Sequence, residues 1–456
     1  MAERSRTSRQ ANERLRAVMD EAGCSSTGLA RRVNLCGAEH GLDLRYDKTS
    51  VARWLRGQQP RGRVPAVIAE ALERKLGRLV TVEEIGMKPA PGAASTVGLR
   101  FEPNPLDALQ QACALWRSDA NHLDALARTG LATSVLVQAS RDWLIADPDP
   151  APRSQGAHAV GSGDIEAVRA TTSAFADLDH RFGGGHTRRV TVLYLHSVVA
   201  GLLTGAYDES TGRQLLGAVA RLTELAGYMA VDSGLLGLAQ RYYIQALRLA
   251  QAAGDRGFGG YVLAGGMSQV ALAMGNPRET VQLARVAREG TREHATAPAH
   301  VLFHLTEARG YALLGDRSAC EHAAGEARKA LKSHTPGRGP DWAVHIDRGY
   351  LAEQLARCYQ NLDQPAAAVR WAEESLRGVS PRRPRRRALR LLLTASAQLQ
   401  LGHPEEGCAT AVEALTVLGR TRSARCSSEL ADIRGRLEAL GLRAEARLLL
   451  VPDQAD

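Results

Sequence analysis

Apolar positions in this chain recur mainly at spacings of three and four, the pattern of helices that bury one stripe. Ala11, Leu15, Val18 and Met19 place a first amphipathic helix over residues 9–22. Ser25 or Ser26 can cap a second, TGLARRVNLCG, with Leu29 and Val33 facing inward. A third follows Asp47 as KTSVARWLRG, with Val51, Trp54 and Leu55 on one face and Gly57 closing it. A fourth spans Val64–Leu76 and is followed by the short tail GRLVTVEEI. After Asp164 the pattern is almost continuously helical, with Ala and Leu returning every three or four residues.

Two stretches lack any such period. Residues 86–105 (GMKPAPGAASTVGLRFEPNP) and 147–164 (DPDPAPRSQGAHAVGSGD) are rich in Pro and Gly and read as linkers or long loops. Between them lies a helical pattern carrying Trp116 and Trp143. The expected organisation is an N-terminal domain over 1–88, a linker with bridging helices over 89–163, and a helical repeat domain over 164–450.

The repeat is visible as a recurring frame: a break, a small residue five positions on, and further small residues four and seven beyond that. The breaks are Gly234, Gly275, Gly315, Asp363 and Gly402, spaced 41, 40, 48 and 39 residues apart. The positions that follow are Ala239, Tyr243 and Ala246, then Thr280, Ala284 and Ala287, then Cys320, Ala324 and Ala327. Ala368, Ala372 and Ser375 continue the series, and Gly407, Ala411 and Ala414 end it. A Gly or Asp can end one helix there, and the small residues let the next pack closely.

Charge divides the chain unevenly. Residues 1–100 hold 18 Lys/Arg against 11 Asp/Glu, so +7 of the formal +9 lies there. A basic end on a nearly neutral body suits a polyanion-binding module, although 53 of the 58 basic residues are Arg and an Arg-rich surface is the plainer reading. Aromatic residues make up only 4% of the chain, which argues against a sandwich or barrel. The seven cysteines show no CxxC spacing and fit reduced thiols, and the N-terminus has no apolar leader, so a cytoplasmic protein is expected. Residues 190–207 run without a charge but contain His196, Ser197, Gly201, Thr204 and Gly205; a buried helix is expected rather than a membrane span.

The break sequences LAMGNPRET, ALLGDRSAC, QNLDQPAAA and QLGHPEEGC make residues 220–418 resemble the tetratricopeptide repeat, with a period nearer forty and few first-helix aromatics. That resemblance implies an α-solenoid whose inner face would present Glu224, Tyr228, Asp232, Gln269, Arg309, Glu353, Arg357 and Asn361. A face of mixed sign suits a peptide, small ligand or protein effector better than an apolar cofactor.

Residues 10–86 resemble the Cro/repressor-type helix-turn-helix family through Leu29-Ala30, Ser50-Val51-Ala52-Arg53, Gly57 and Pro60. The resemblance implies an all-α domain whose third helix enters the major groove, with Lys48, Thr49, Ser50 and Arg53 as base or groove contacts. Arg31, Arg32, Arg45, Arg56, Arg61 and Arg63 would contact phosphates. One departure is large: about eleven extra residues around GAEHGLDLRY replace the tight turn before the third helix. More closely, LARRVN, YDKTSVARWLRGQQPRG, LDHRFGGGHTR and LAGYMAVDSGLLGLAQRYYIQALRLA look like an actinobacterial regulator family. That family includes the negative regulator of sporulation and antibiotic production, and the likeness implies a repressor in development or secondary metabolism.

Signals for catalysis are thin. FGGGHTRR lacks the Lys and hydroxyl of a phosphate-binding loop and reads as a helix–helix turn using Gly for positive φ. His300 and His304 sit four apart without a third metal ligand in evident reach, so a packed or solvated pair is expected. PRRPRRRALR, residues 381–390, reads as a solvated helix start, or else as a contact for acidic partners or nucleic acid. No catalytic set, metal or cofactor is expected. The reading is a transcriptional regulator that binds DNA, with a homodimer expected, and senses an effector on its repeats; the competing reading is a repeat scaffold that does not touch DNA.

Overall fold

The structure is a computed structural model that describes residues 11–39, 42–62, 64–76, 80, 82, 84–87, 96–121, 126, 131, 133–150, 152–334, 339–380, 383–419 and 421–449. The chain divides into two units, Met1–Thr96 and Val97–Asp456. Among the described residues every regular element is a helix; two isolated bridges, Ser154 to Tyr207 and Ala159 to Ala206, are the remaining extended pairings.

In the first unit α1 (Glu13–Glu21), α2 (Ser26–Glu39), α3 (Lys48–Leu55) and α4 (Val64–Leu76) fall where the apolar spacing places them. Their inward faces meet as Leu15, Leu29, Val33, Val51, Trp54, Ile68 and Leu72. Asn12 ties three parts of this unit together: its Oδ1 accepts from Leu15 N at 3.0 Å, its own backbone N–H donates to Leu55 O at 2.9 Å, and its Nδ2 donates to Ile85 O at 2.9 Å. The α2 start is capped by Ser25, whose Oγ accepts from Gly28 N at 3.1 Å.

The described part of the extra stretch before α3 does not hang free. Helix α2 runs on to residue 39 and absorbs part of them. On the return, the Asn34 side chain pairs with both backbone groups of Tyr46, donating to its carbonyl and accepting from its N–H, each at 2.9 Å. Leu44 lies so close to Gly37 that a Cβ there would overlap it. The Tyr46 ring meets Trp54 edge-on at 5.0 Å. The tight turn of the helix-turn-helix pattern is therefore replaced by a loop pinned to both flanking helices.

In the second unit α5 (Pro105–Asn121) and α6 (Thr133–Ile145) bury Trp116 and Trp143 completely. Helices α7 (Ser162–Phe182) and α8 (Gly184–Tyr194) are joined at Gly183, whose φ of 89° meets the expectation of a turn needing positive φ. The uncharged stretch 190–207 departs from expectation. It runs from α8 through a π-helical turn, Leu195–Val199, into the short α9 (Ala200–Leu203), and buries only one side. Val192, Leu195, Val199 and Leu203 point into the core, whereas Val190 is 54% exposed and Leu193 and Val198 are also open. No helix among the described residues is long and apolar enough to cross a membrane.

Five antiparallel helix pairs follow. They are α10 (Glu209–Asp232) with α11 (Leu236–Ala253), then α12 (Arg256–Tyr261) and α13 (Ser268–Ala273), joined by a π-helical turn, with α14 (Pro277–Gly290). Next come α15 (Ala297–Leu313) with α16 (Arg317–Lys332), α17 (Arg348–Asn361) with α18 (Pro365–Leu376), and α19 (Pro384–Leu401) with α20 (Pro404–Leu418). Helices α21 (Ala424–Ala439) and α22 (Arg443–Leu448) close the unit. Every break of the sequence frame has positive φ: Gly234 at 76°, Gly275 at 68°, Gly315 at 74°, Asp363 at 54° and Gly402 at 92°. Asp363 is the one non-glycine in that region among the described residues, which shows the frame demanding this geometry rather than following composition. The small residues beyond each break are buried. The wide 48-residue interval is filled by the connection between α16 and α17, where Trp342 stacks near Tyr261 at 5.0 Å.

The second half of the first pair holds the stretches expected as linkers. Helix α11 is buried on all sides, including Gln240, Arg241, Gln245, Arg248 and Gln251. Gln245 Nε2 donates to the carbonyls of Gly98 and Arg100 at 3.0 and 2.9 Å, and Arg241 to that of Val97. Arg248 reaches the carbonyls of Glu102 and Pro103 and grips the Asp149 carboxylate at 2.6 and 3.1 Å. Gln251 takes the Asp147 carbonyl at 3.0 Å. The carbonyls of residues 97, 98, 100, 102, 103 and 147 thus accept from side chains of a buried helix, which is how irregular chain can be sealed inside a fold.

Candidate functional site

The first candidate is the outer face of α3. Asp47 caps it, its Oδ1 accepting from the backbone N–H of Thr49 and Ser50 at 3.1 and 2.9 Å and from both hydroxyls at 2.7 and 2.9 Å. Hydrogen bonding, led by the Thr49 hydroxyl, holds the Asp47 carboxyl down at about 2, so the cap stays ionised well into acid. With Val51 and Trp54 in the core, Lys48, Thr49, Arg53 and Arg56 are left exposed on one helix of two turns.

The other predicted contacts divide. Arg31 and Arg32 on α2 and Arg61 after α3 are exposed. Arg45 is exposed but engages Asp43 at 3.1 Å. Ser50 is buried; its hydroxyl donates to Asp47 and accepts from Arg53 Nη2 at 3.2 Å, so it supports the helix start and orients Arg53. Arg63 lies outside the described residues.

The second candidate is the polar face along the first helices of the pairs. Arg309 Nη1 donates to Gln354 Oε1 at 2.8 Å, Arg390 Nε to Glu353 at 3.1 Å, and Arg357 Nη1 to Glu429 at 3.0 Å. Burial pushes the Glu353 carboxyl up, but Arg357, Arg390 and Arg386 together hold it below the ordinary range. Glu224 is the opposite case. It is buried without a salt bridge among the described residues, and desolvation, opposed by Arg221 and reinforced by Asp179, raises it to about 7. Its neighbour Tyr228 is half-buried, with its hydroxyl 3.4 Å from Arg385. Gln269 bonds within its own helix, to Gly265 O at 2.6 Å. Asn361 is exposed and lines a cavity of about 490 Å³ with Gln360, Ser396, Gln400 and Arg436.

Asp232 does not belong on an open face. It is fully buried, taking Arg385 Nη1 at 2.7 Å, Gly184 N at 2.9 Å and Ser423 Oγ at 2.7 Å. Arg385 also forks onto Asp179, giving an Asp–Arg–Asp cluster that joins α7, α10 and α19. The frame put Asp232 on an open inner face, but its partner comes from 153 residues away, which no local pattern contains.

The Arg run of residues 381–390 was visible in the sequence, yet its direction was not. Among its described members Arg385 and Arg390 are only 2% and 3% exposed, and Arg383 and Arg386 are half-buried. Arg383 and Arg386 act on both His180 and His345, and Arg385 on His180. Burial comes first and the nearby guanidiniums second in holding both imidazoles neutral down to about 3. His300 and His304 have rings 6.4 Å apart, with His304 Nδ1 3.4 Å from Glu307. No cluster of metal-binding side chains occurs among the described residues.

Residues 15–88 match the family described as the SP15 N-terminal domain, so the α1–α4 region is similar to that domain. No curated protein matches the chain.

Proposed function

We propose that the chain is a transcriptional regulator. Its first unit acts as a Cro/repressor-type helix-turn-helix, and the paired helices of the second act as a tetratricopeptide-like solenoid that senses an effector. The observation that carries this reading is the α3 face. One apolar side is locked by Val51 and Trp54, the start is capped by an ionised Asp47, and Lys48, Thr49, Arg53 and Arg56 are exposed to solvent. A rigid helix with basic and hydroxyl groups outward is what major-groove docking requires, with phosphate contacts supplying affinity and base edges specificity. Support against the scaffold reading is the loop before α3, which is bound to α2 and Trp54 and so holds the helix in place.

In this reading the repeats bias the placement of the DNA-binding units. An effector held on the polar inner face favours one arrangement, and the shift is limited by its differential affinity for the two. A dimer on a two-fold site supplies the specificity one small module lacks. The likeness to regulators of development and antibiotic production makes repression of such genes the expected output, in the cytoplasm.

The test is a DNA titration over a salt series with genomic fragments, comparing the parent with Arg53→Ala plus Arg56→Ala. Sequence-selective binding that weakens with salt, with a slope smaller by about 2 in the double variant, is expected. Equal, unselective binding by both proteins would refute it.

A further inference from the structure

The second unit contains a cavity of about 470 Å³ bounded by α7, the start of α17, the turn after α18 and the first two turns of α19. Five arginines and two aspartates line it. Of the acids nearby, Asp177 is exposed on the cavity wall and the others are committed. Glu374 pairs with Arg377 and Arg348, each at 2.8 Å; Glu353 pairs with Arg390; Asp347 caps α17 by accepting from Tyr350 N at 2.7 Å. Arg383 and Arg386 have no ion pair among the described residues; Arg386 donates only to the His345 carbonyl, at 3.2 Å.

Arg390 adds an independent sign. It is almost fully buried, spends Nε on Glu353 and Nη1 on the Ser375 carbonyl, and leaves Nη2 buried with no acceptor among the described residues. A guanidinium cannot shed its charge, so an unmet buried N–H beside further cations is costly unless an acceptor arrives. The two neutral imidazoles, His180 and His345, show the same positive environment.

We propose that this cavity binds a small molecule bearing an oxyanion group, phosphate or carboxylate, seated by Arg383 and Arg386, with the buried Arg390 guanidinium adding to the positive field of the wall. Planar guanidiniums offer paired donors that match either group, and the volume is that of a metabolite site rather than of a single ion. That the molecule is the effector of the regulator rests on the function proposed above; the binding does not.

The experiment is calorimetric titration of the full chain with pyrophosphate and, separately, with citrate, at an ionic strength held constant with sodium chloride. Saturable one-to-one binding of either is expected, with pyrophosphate alone assigning a phosphate ligand and citrate alone a carboxylate. Arg383→Gln breaks no ion pair, so it should keep the parent's melting temperature while weakening binding about tenfold or more; Arg386→Gln should weaken binding as much and also lower the melting temperature slightly, because it gives up the bond to the His345 carbonyl and the attraction to Glu353. Arg53→Ala plus Arg56→Ala should bind the anion as the parent does. Absence of saturable binding, or equal binding in the Gln variants, overturns the site. Neither result alters the DNA titration, so the two proposals fail separately.

Discussion

The arginines of α3 and those of α11 and α19 teach opposite lessons from one residue type. On α3, Arg53 and Arg56 lie in solvent and bond only within their own helix, to the Ser50 hydroxyl and the Ala52 carbonyl. In the second unit Arg241, Arg248, Arg385 and Arg390 are buried and join segments about 15 to more than 200 residues apart. Exposed guanidiniums contribute little to stability and remain available to a polyanion. Buried ones are committed to the fold, because each removed cation leaves an anion or carbonyl in low dielectric without a partner. Counting Arg therefore says nothing about function until burial has sorted them.

The strongest way to break this contrast is Arg385→Ala. It leaves Asp179 and Asp232 facing each other unpaired in the core, and should cost about 5 kcal/mol, the upper end for breaking a buried pair. Calorimetric unfolding of the full chain should show the second unit's transition falling steeply while the first unit's is unchanged. Arg248→Ala removes one buried partner of a single acid, Asp149, together with two carbonyl contacts, and should cost about 3 kcal/mol. Its distinguishing sign is local: amides of residues 97–102 should exchange faster than the rest of the unit. Unchanged exchange across that segment would mean that Arg241 and Gln245 hold it without Arg248.

Much of this architecture was legible because it is local. The four helices of the first unit follow from Leu15, Leu29, Val51 and Ile68 at helical spacing and from the Ser25 and Asp47 caps. The five breaks follow from Gly and Asp at a fixed frame, and all five take positive φ. What was hidden is non-local. Gln245 and Arg248 have the spacing of a solvated stripe, and only the chain that lies over them, 97–103, makes that stripe interior. The Pro/Gly composition of that chain reads as a linker for the same reason it is irregular: its carbonyls are met by side chains, not by a helix ladder. Ser50 was placed among base contacts because it sits in the third helix, yet hydroxyls at that position compete for the helix start, and here the cap holds it.

Buried charge also makes the second unit respond to pH in two directions. Glu224 has a folded value of about 7 against an ordinary 4.5, so its contribution is full below 4.5 and is lost as pH rises through 7. Glu224→Gln should match the parent at pH 4 and be more stable at pH 8, by at most about 3 kcal/mol. Melting temperatures of both proteins across that range check the sign. His180 and His345 act oppositely: their contribution is full above 6.5 and is lost as pH falls towards about 3. The acid limb should therefore soften in His345→Asn, whereas the alkaline limb should not move.

The smallest effect on stability is expected where the effect on function is largest. Arg53→Ala plus Arg56→Ala removes two exposed side chains whose contacts lie within α3, and Ala favours the helix slightly more than Arg. The first unit's unfolding midpoint should stay within about 0.5 kcal/mol of the parent. Asp47→Ala sharpens the point from the other side: it leaves both cations in place but strips the acceptor from four donors at the start of α3. Its DNA affinity should fall only as far as α3 frays, and should recover on cooling, whereas that of the double Arg variant should not. If instead the double Arg variant unfolds the first unit, those arginines belong with the buried ones, and the basic face of α3 is structure rather than a surface offered to DNA.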